Sequence, residues 1–326
     1  MSVLDTYECT DKYFCTTDTL RETLDKYGVA ILPSVLNEEE CDKMKSELWD
    51  FFEHISQTWE IPIKRDDTTT WKQIFNLIPS HAMLFQWYKV GHCQAAWNVR
   101  QNPKVVEPYS KLYGCTPDKL LTSFDGLSFG LQPEITNRGW FRRTWFHTDQ
   151  SFTRNKWECT QSWVTAEDVE CGDATLAFLE KSHLLHSEFA KEFDKKEKDD
   201  WYQLKNVDEQ EYYKTRCPEK RITCPKGSMV FWDSRTIHCG TEAVKGRTKP
   251  KNRSIIYTCY QPRTFVTAKL IEKKRKAFKD SRTTSHWPAK PKLFSKLPQH
   301  YGNGLPEITS ISEPVLSDLG RKLAGF

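Results

Sequence analysis

Short β-prone runs fill much of the chain after residue 115, and this pattern constrains the fold more than any other feature of the sequence. Each run holds mainly β-branched, aromatic or other apolar residues, and turn-forming residues separate it from the next. The runs cover residues 120–124, 127–131, 144–147, 161–165, 175–178, 222–224, 229–232 and 255–260. About eight short strands with this spacing predict a double-sheet jelly roll, that is, a cupin-like double-stranded β-helix.

The residues before about 115 follow a helical period instead. Asn37 can cap a helix with Glu40 in the capping-box position, and the apolar residues that follow recur along one helical face. We also expect helices over residues 19–27, 80–90 and 103–113.

Together these patterns predict an α+β fold in one domain of residues 1–326, with a jelly-roll core framed by helices at both ends. The helical N-terminal part covers about 1–115, the jelly-roll core about 116–263 and a basic C-terminal extension about 264–326. Within the core, a polar and charged insertion over about 187–219 is expected to be helical and to lie on the surface.

The composition is that of a folded protein, with 38% hydrophobic, 28% charged and 13% aromatic residues. No run approaches the roughly 18–20 apolar residues that a membrane-spanning helix needs, and the first residues lack the apolar core of a secretory signal. Eleven cysteines without a Cys-x-x-Cys pair are typical of reduced thiols in a chain of this size. We therefore expect an intracellular, cytoplasmic protein.

The net charge of +4 conceals a strongly basic stretch over residues 263–300. This stretch has eleven Lys and Arg residues against two acids, a net charge of +9, whereas the rest of the chain carries −5. It can attract the phosphates of nucleic acid or of a nucleotide-like substrate. Its segment 268–278 has apolar residues on one helical face, so we expect a helix that docks on the barrel with its cations outward.

The sequence His147-Thr-Asp149 offers two metal ligands on one predicted strand. Because residues i and i+2 of a strand point to the same side, the imidazole and the carboxylate project next to each other. His238 lies just past the apolar run 229–232 and can supply a third ligand at the mouth of the jelly roll. Two histidines and one carboxylate are typical of non-haem Fe(II) oxygenases, which keep the remaining positions open for cosubstrate and O2.

A cation stands at the start of the strand that follows. The guanidinium of Arg253 can bind the distal carboxylate of 2-oxoglutarate through paired hydrogen bonds, a geometry that lysine cannot reproduce. Arg247 is the alternative, and we favour Arg253 because it leads directly into the apolar run 255–260. Gln132 is a further candidate to hydrogen-bond the cosubstrate, with an ordinary surface glutamine as the alternative reading.

The order of these residues, His-x-Asp, then His, then Arg, resembles the phytanoyl-CoA dioxygenase-like family of Fe(II)/2-oxoglutarate oxygenases. The segment 27–40, which begins Tyr-Gly-Val-Ala-Ile-Leu-Pro and ends in three glutamates, is similar to that family's amino-terminal signature. The segment 161–183, from Gln-Ser-Trp-Val to Ser-His, is similar to the family segment that ends Pro-Gly-Ser-His. The resemblance covers most of the chain.

This resemblance implies a role for each matching residue. His147, Asp149 and His238 are the catalytic residues that hold Fe(II), Arg253 binds the C5 carboxylate of 2-oxoglutarate, and Trp163 walls the cosubstrate pocket. The expected cofactors are therefore Fe(II), 2-oxoglutarate as cosubstrate, and O2.

Three features depart from the family pattern. Glu-Lys at 180–181 replaces the Pro-Gly before Ser-His. The interval between the third metal ligand and Arg253 is longer than usual, which leaves Arg247 open as the cosubstrate-binding cation. The Ser or Thr that often follows the distal His-Gly is shifted to Thr241, which we keep as a candidate residue of the cosubstrate pocket.

The implied activity is hydroxylation of a small molecule, with release of succinate and CO2. Asp149 argues against the related halogenases, which carry a small residue in place of the carboxylate so that chloride can bind. If the basic stretch takes part in substrate binding, we expect an anionic substrate. We expect no membrane partner. Two alternatives stay open: the same chemistry on a protein side chain or nucleobase, and a cupin-like metal protein that does not use 2-oxoglutarate, against which Arg253 argues.

Overall fold

The computed structural model of the protein describes residues 2–78, 83–296 and 306–326. The α-helices of these residues are α1 (Leu20–Tyr27), α2 (Glu38–Ser56), α3 (Gln94–Arg100), α4 (Pro103–Tyr113), α5 (Pro133–Thr136), α6 (His186–Glu192), α7 (Val207–Lys214), α8 (Ala268–Lys279) and α9 (Asp318–Ala324). Short 3-10 helices occupy Val3–Thr6, Asp11–Tyr13, Thr68–Leu77, Val90–His92, Pro117–Lys119, Ser182–Leu185 and Arg263–Phe265. The strands are β1 (Tyr7–Glu8), β2 (Val29–Leu32), β3 (Leu84–Phe85), β4 (Leu120–Thr122), β5 (Leu127–Gly130), β6 (His147–Thr148), β7 (Thr160–Thr165), β8 (Thr175–Leu179), β9 (Tyr202–Gln203), β10 (Glu219–Ile222), β11 (Met229–Asp233), β12 (His238–Thr241), β13 (Arg253–Thr258) and β14 (Tyr260–Pro262).

Most strands belong to two large sheets, with β14 and β4 forming a separate pair. The first sheet has the order β1-β10-β8-β12-β6-β9, and the second has the order β2-β11-β7-β13-β5-β3. Neighbouring strands are antiparallel except for β1 and β10 at one edge. Side chains of both sheets, among them Trp163 and Phe178, share one buried cluster. The predicted jelly-roll core is confirmed.

The N-terminal helices cover the outer face of the second sheet. Helix α2 begins at the predicted capping box, in which the side chains of Asn37 and Glu40 each accept a hydrogen bond from the other residue's backbone N–H. Its Phe52 stacks on Phe129 of β5, with ring centroids 4.6 Å apart. Because side chains alternate along a strand, Val164 of β7 joins this outer layer while its neighbours point between the sheets. The second sheet is thereby buried on both faces.

Several predicted elements differ in position or length. Residues 83–90 are not α-helical, since β3 pairs with β5 at the sheet edge, and residues 79–82 lie outside the described part of the chain. The strand predicted over 144–147 is reduced to β6, and the one predicted over 222–224 lies mainly before that range, as β10. The two-residue strands β1 and β9 are too short for an alternating pattern, so their pairing is set by tertiary contacts.

The insertion over 187–219 contains two helices, α6 and α7, but they cover less than half of it, and it does not lie only on the surface. Phe189 of α6 and Tyr213 of α7 are fully buried and stack with ring centroids 4.8 Å apart. Strand β9, between these helices, pairs with β6 and places Gln203 opposite His147. The insertion therefore forms the edge of the first sheet beside a predicted metal ligand.

Helix α8 docks through Ala277 and Phe278, as predicted, but one of its cations is buried with them. Lys274 lies one turn before Phe278, donates a hydrogen bond to the carbonyl of Thr122 and lies 3.9 Å from the ring centroid of Phe124. The expectation that the cations of this helix face outward is therefore wrong for Lys274, because residues four apart share one helical face.

The described part of the chain has no helix that is long and apolar enough to cross a membrane. Its cysteines are all free. Residues 297–300 of the basic stretch lie outside the described residues.

Replacing Lys274 with methionine should change how stability depends on pH. Burial, followed by the nearby charges of Arg100 and Arg263, lowers the pKa of Lys274 from 10.5 to about 7. Between about pH 7 and pH 10.5 the unfolded chain binds more protons at Lys274 than the folded chain does, so this lysine makes the unfolding free energy rise with pH. The variant lacks that contribution. We expect the difference in unfolding free energy between the two proteins to change by about 2–4 kcal/mol from about pH 7 to about pH 10. Urea denaturation measures it.

Lys276→Met is the matched control, because this lysine of the same helix has a side chain that is 78% exposed. The same denaturation series on this variant separates the burial of Lys274 from the general effect of removing a lysine from α8. Parallel pH profiles of the Lys274→Met variant and the unchanged protein would contradict the assignment of a low pKa to Lys274.

Candidate metal centre and active-site cavity

His147 and His238 lie side by side because their strands pair. Strands β6 and β12 are antiparallel neighbours in the first sheet, and His147 is the direct register partner of His238. The two imidazole ring centroids are 4.4 Å apart. The register of one strand pair therefore brings together two residues that are separated by 91 positions in the sequence.

Asp149 joins the two histidines from the end of β6. Its backbone N–H donates to the carbonyl of Ser234 at 2.9 Å, and this hydrogen bond fixes the turn after the strand. One carboxylate oxygen lies 3.7 Å from Nε2 of His147 and 3.2 Å from Nε2 of His238. The ligand atoms of the three residues all lie within 4.8 Å of one another. One metal ion can contact all three.

Hydrogen bonds orient each of the three candidate ligands. Nδ1 of His147 lies 3.3 Å from the carbonyl of Trp145, and Nδ1 of His238 lies 2.9 Å from the carbonyl of Thr236. With a proton on Nδ1, each ring keeps the Nε2 lone pair for the metal. Gln161 of β7 donates from Nε2 to the carboxylate of Asp149 at 2.8 Å.

The electrostatic surroundings favour the protonation states that a metal requires. Burial lowers the pKa of His147, and the neighbouring His238 lowers it further. Burial alone would raise the pKa of Asp149, but the positive charges that His286 and the two neighbouring histidines can carry bring it well below its usual value. A neutral imidazole and an ionised carboxylate are the metal-binding forms of these groups.

Tryptophan rings enclose the three residues. Trp145 stacks on His147 with ring centroids 4.6 Å apart and an angle of 12° between the planes, and its Nε1 donates to the carbonyl of Gly240 at 2.9 Å. Trp287 is buried and donates from Nε1 to the carbonyl of Asp149 at 3.3 Å. These contacts restrict the movement of two candidate ligands.

The triad opens on a cavity of about 580 Å³, which is in the range of small-molecule sites. Trp163 and Thr241, both chosen from the sequence, line this cavity together with Arg253. Trp163 is almost fully buried, and the hydroxyl of Thr241 donates to the carbonyl of Thr175 at 3.1 Å. The first sheet contributes the metal triad, and the second contributes Trp163 and Arg253.

Arg253 is buried in the wall of the cavity without an acidic partner. Its Nε donates to the hydroxyl of Ser128 at 2.9 Å and one Nη donates to the carbonyl of Ala174 at 2.5 Å. Its guanidinium carbon lies 5.7 Å from the ring centroid of Trp163. No Asp or Glu of the described residues forms an ion pair with it. A buried, unpaired cation is costly, so this site is suited to an anionic ligand.

The structure does not bring Arg247 or Gln132 to this cavity. Both carboxylate oxygens of Glu134 accept hydrogen bonds from Arg247, and Asp173 accepts a third at 2.8 Å, so this guanidinium already has two acidic partners. Gln132 precedes α5, and its backbone N–H donates to the side chain of Asn252 at 3.1 Å.

Several residues of the cavity were missed from the sequence. Gln161 could have been found, because it lies two positions before Trp163 on the same strand and therefore on the same face. Trp201, which is half exposed and has its ring centroid 5.9 Å from that of His147, comes from the insertion. Asp125 and His286 also line the cavity, but no local pattern singles them out.

Comparison with known proteins adds independent information. A family model described as "Phytanoyl-CoA dioxygenase (PhyH)" matches residues 24–246, which include the three candidate ligands and end before Arg253. "Ava biosynthesis cluster protein O" of Aspergillus versicolor is 27% identical over 213 residues, which cover 62% of this chain and 65% of that protein. A "Putative phytanoyl-CoA dioxygenase" of Dictyostelium discoideum is 24% identical over 263 residues, which cover 67% of this chain and 68% of that protein. The chain thus spans about two thirds of the length of these curated relatives.

One solved structure supports the fold. The crystal structure titled "Putative Oxidoreductase from Salmonella typhimurium LT2" superposes with a TM-score of 0.59 at 13% sequence identity. The match covers 96% of this chain and 86% of that one. At this identity the likeness extends to the fold alone.

Removing the side-chain amide of Gln161 should weaken metal binding. Without its hydrogen bond, the carboxylate of Asp149 is free to rotate, and loss of such a supporting contact typically lowers metal affinity by about 10–100-fold. Titration calorimetry of Gln161→Ala with Mn(II), a stand-in for Fe(II) that tolerates air, measures the change. Gln132→Ala is the control and should bind Mn(II) as the unchanged protein does. Equal affinities of both variants would show that Gln161 does not support the site.

Proposed function

Since the chain belongs to the phytanoyl-CoA dioxygenase family of Fe(II)/2-oxoglutarate oxygenases, we propose that it hydroxylates a small-molecule substrate while 2-oxoglutarate is converted to succinate and CO2. The observation that carries this proposal is the convergence of His147, Asp149 and His238 on one cavity that also holds the unpaired cation Arg253. The donor set of two imidazoles and one carboxylate fits Fe(II) with open positions.

In this proposal the first sheet binds the metal and the second sheet binds the cosubstrate. His147, Asp149 and His238 of the first sheet hold Fe(II), which supplies the oxidising chemistry with O2 when it is bound. Arg253 of the second sheet binds the distal carboxylate of 2-oxoglutarate by charge-assisted hydrogen bonds. Trp163 stacks beside this guanidinium and keeps water from the pair, which strengthens the attraction.

Asp149 supports hydroxylation over halogenation. Its carboxylate lies within reach of both imidazoles and can occupy the third ligand position, so no vacancy is left there for a halide. The walls of the cavity then position one C–H bond of the substrate and exclude water, which is the protein's part in such reactions.

The alternatives receive less support from the described residues. A cupin-like protein without 2-oxoglutarate would have no use for the buried cation Arg253. Support for a nucleic-acid or protein substrate rests on the basic stretch. Lys274 of that stretch is buried, so it is not available to a partner. A screen that couples 2-oxoglutarate turnover to a panel of metabolites would test the small-molecule proposal and identify the substrate.

Each metal ligand should be essential. The unchanged protein should bind one Fe(II) per chain, and His147→Ala, Asp149→Ala and His238→Ala should each lose iron and 2-oxoglutarate turnover, because loss of one ligand in three weakens both affinity and geometry. Metal analysis after anaerobic loading and a succinate assay measure the two effects. His54→Ala, which removes an exposed histidine on α2, should leave both unchanged. Full iron content in all three ligand variants would refute the assignment.

Arg253→Ala should raise the 2-oxoglutarate concentration needed for turnover by about 30-fold or more, with iron content near normal. Removing one partner of a buried charge pair typically costs about 2–5 kcal/mol. Arg253→Lys should recover little, because an ammonium cannot form the paired hydrogen bonds. Arg247→Ala is the comparison. If Arg247→Ala gave this phenotype and Arg253→Ala did not, Arg247 would be the residue that binds the cosubstrate.

A further inference from the structure

Asp125 is a carboxylate of the cavity to which the proposed chemistry gives no role. It lies between β4 and β5 and is 9% exposed. One of its oxygens accepts a hydrogen bond from the N–H of Gly126 at 2.6 Å. No Lys, Arg or His of the described residues forms an ion pair with it; the charges of His286 and Arg100 act on it from further away, and burial still raises the pKa of Asp125 above its usual value. A buried carboxylate that lacks a direct ion pair is costly, which points to a ligand group that completes it.

The backbone around Asp125 is fixed before any ligand binds. The N–H of Phe124 donates to the hydroxyl of Thr284 at 3.1 Å, and the N–H of Thr284 donates back to the carbonyl of Phe124 at 2.9 Å. Arg100, which is fully buried, donates to the carbonyl of Asp125 at 2.5 Å. The two bonds between Phe124 and Thr284 join the segment of Asp125 to the segment that carries His286, and the bond from Arg100 anchors it to α3. A preorganised position of this kind reduces the entropic cost of binding.

His286 offers a second polar atom in the same place. It lines the cavity, and its Nε2 is buried without a hydrogen-bond partner among the described residues. It also interacts electrostatically with both Asp125 and Asp149, so it lies close to the metal ligands. The cavity therefore presents an acidic oxygen and an imidazole nitrogen that the chain leaves available to a ligand.

Apart from the buried Arg253, which the proposed function assigns to 2-oxoglutarate, the cations of the cavity lie away from Asp125. Lys198, Lys290, Lys292 and Arg143 line it but are exposed, which places them at its mouth. Charges in water are screened over roughly 8 Å at physiological ionic strength, whereas a buried charge acts with much less screening. The inner end of the substrate therefore meets Asp125 more strongly than it meets these cations.

On the premise of the proposed function, we propose that Asp125, assisted by His286, determines substrate specificity by binding an amine of the substrate beside the metal. A protonated amine donates charge-assisted hydrogen bonds to the free oxygen of Asp125 and neutralises it. A neutral N–H would satisfy the hydrogen bond but not the charge. Any anionic group of the substrate is then expected at the end that faces the mouth of the cavity, near the exposed cations.

The test uses three indole probes that differ in one group, because Trp145 and Trp201 give the cavity aromatic walls. Tryptamine carries an ammonium, tryptophol a hydroxyl and indole-3-acetate a carboxylate. Calorimetric titration of the anaerobic protein loaded with Fe(II) and 2-oxoglutarate should give tryptamine a Kd at least about tenfold below that of indole-3-acetate, with tryptophol between them.

The decisive variant is Asp125→Asn, which keeps the shape and an oxygen for the N–H of Gly126 but removes the charge. It should weaken tryptamine binding by about tenfold and change tryptophol binding by less than about threefold. His286→Gln should weaken tryptamine binding to a smaller extent. Asp199→Asn is the matched control, because Asp199 is an exposed carboxylate of the same cavity, and it should bind all three probes as the unchanged protein does.

Equal Kd values for the three probes, no binding of any of them, or an amine preference that survives in Asp125→Asn would each overturn this proposal. Iron and 2-oxoglutarate contents are measured on the same samples, and the titrations are repeated on metal-free protein, where the amine preference should persist because Asp125 is not a metal ligand. A protein that prefers the amine but does not load Fe(II) and 2-oxoglutarate contradicts the proposed function and not the role of Asp125.

Discussion

The pairing of His147 with His238 across two antiparallel strands is the constraint on which the candidate metal centre depends. A slip of one residue in this register would turn one imidazole to the other face of the sheet, since side chains alternate along a strand. Strand β12 is held on its other side by β8, where His238 is the register partner of Phe178. The hydroxyl of Thr148 and the N–H of Asp149 both bond to the carbonyl of Ser234 and fix the third ligand. The geometry of the triad is thus a property of the first sheet.

The second sheet completes the site from the opposite side. Gln161 reaches across to the carboxylate of Asp149, and Trp163 and Arg253 line the same cavity. The strands that carry them are covered on their outer face by α2 and its neighbours, through contacts such as that between Phe52 and Phe129. Helix α2 and its neighbours therefore contribute to the site by holding the sheet in place, while Met83, Leu84 and Gln86 of the same N-terminal part line the cavity directly.

The sequence was informative wherever a local pattern carries the geometry. The i, i+2 spacing of His147 and Asp149 and the capping box at Asn37 each depend on residues close together in the chain, and the structure contains both. The choice between Arg253 and Arg247 is different, because it depends on the acidic residues that surround each guanidinium in the folded protein. The division into one domain of residues 1–326 stays a prediction.

Contacts between distant segments set the limit of sequence-based prediction. Asp125 meets the segment of His286 only because Phe124 and Thr284, 160 positions apart, exchange two hydrogen bonds. Lys274 is buried because α8 packs the face that carries it against the segment of β4. The sequence of α8, which is rich in cations, does not indicate which of them is buried.

The location of the metal ligands in one sheet and of Arg253 in the other has a consequence for the folded state. In the proposed function, a single 2-oxoglutarate molecule spans the space between the sheets and is held at both ends. It then acts as a removable cross-brace inside the barrel, and its binding energy adds to the resistance of the protein to unfolding. The supply of cosubstrate would govern the lifetime of the folded chain as well as the rate of its reaction.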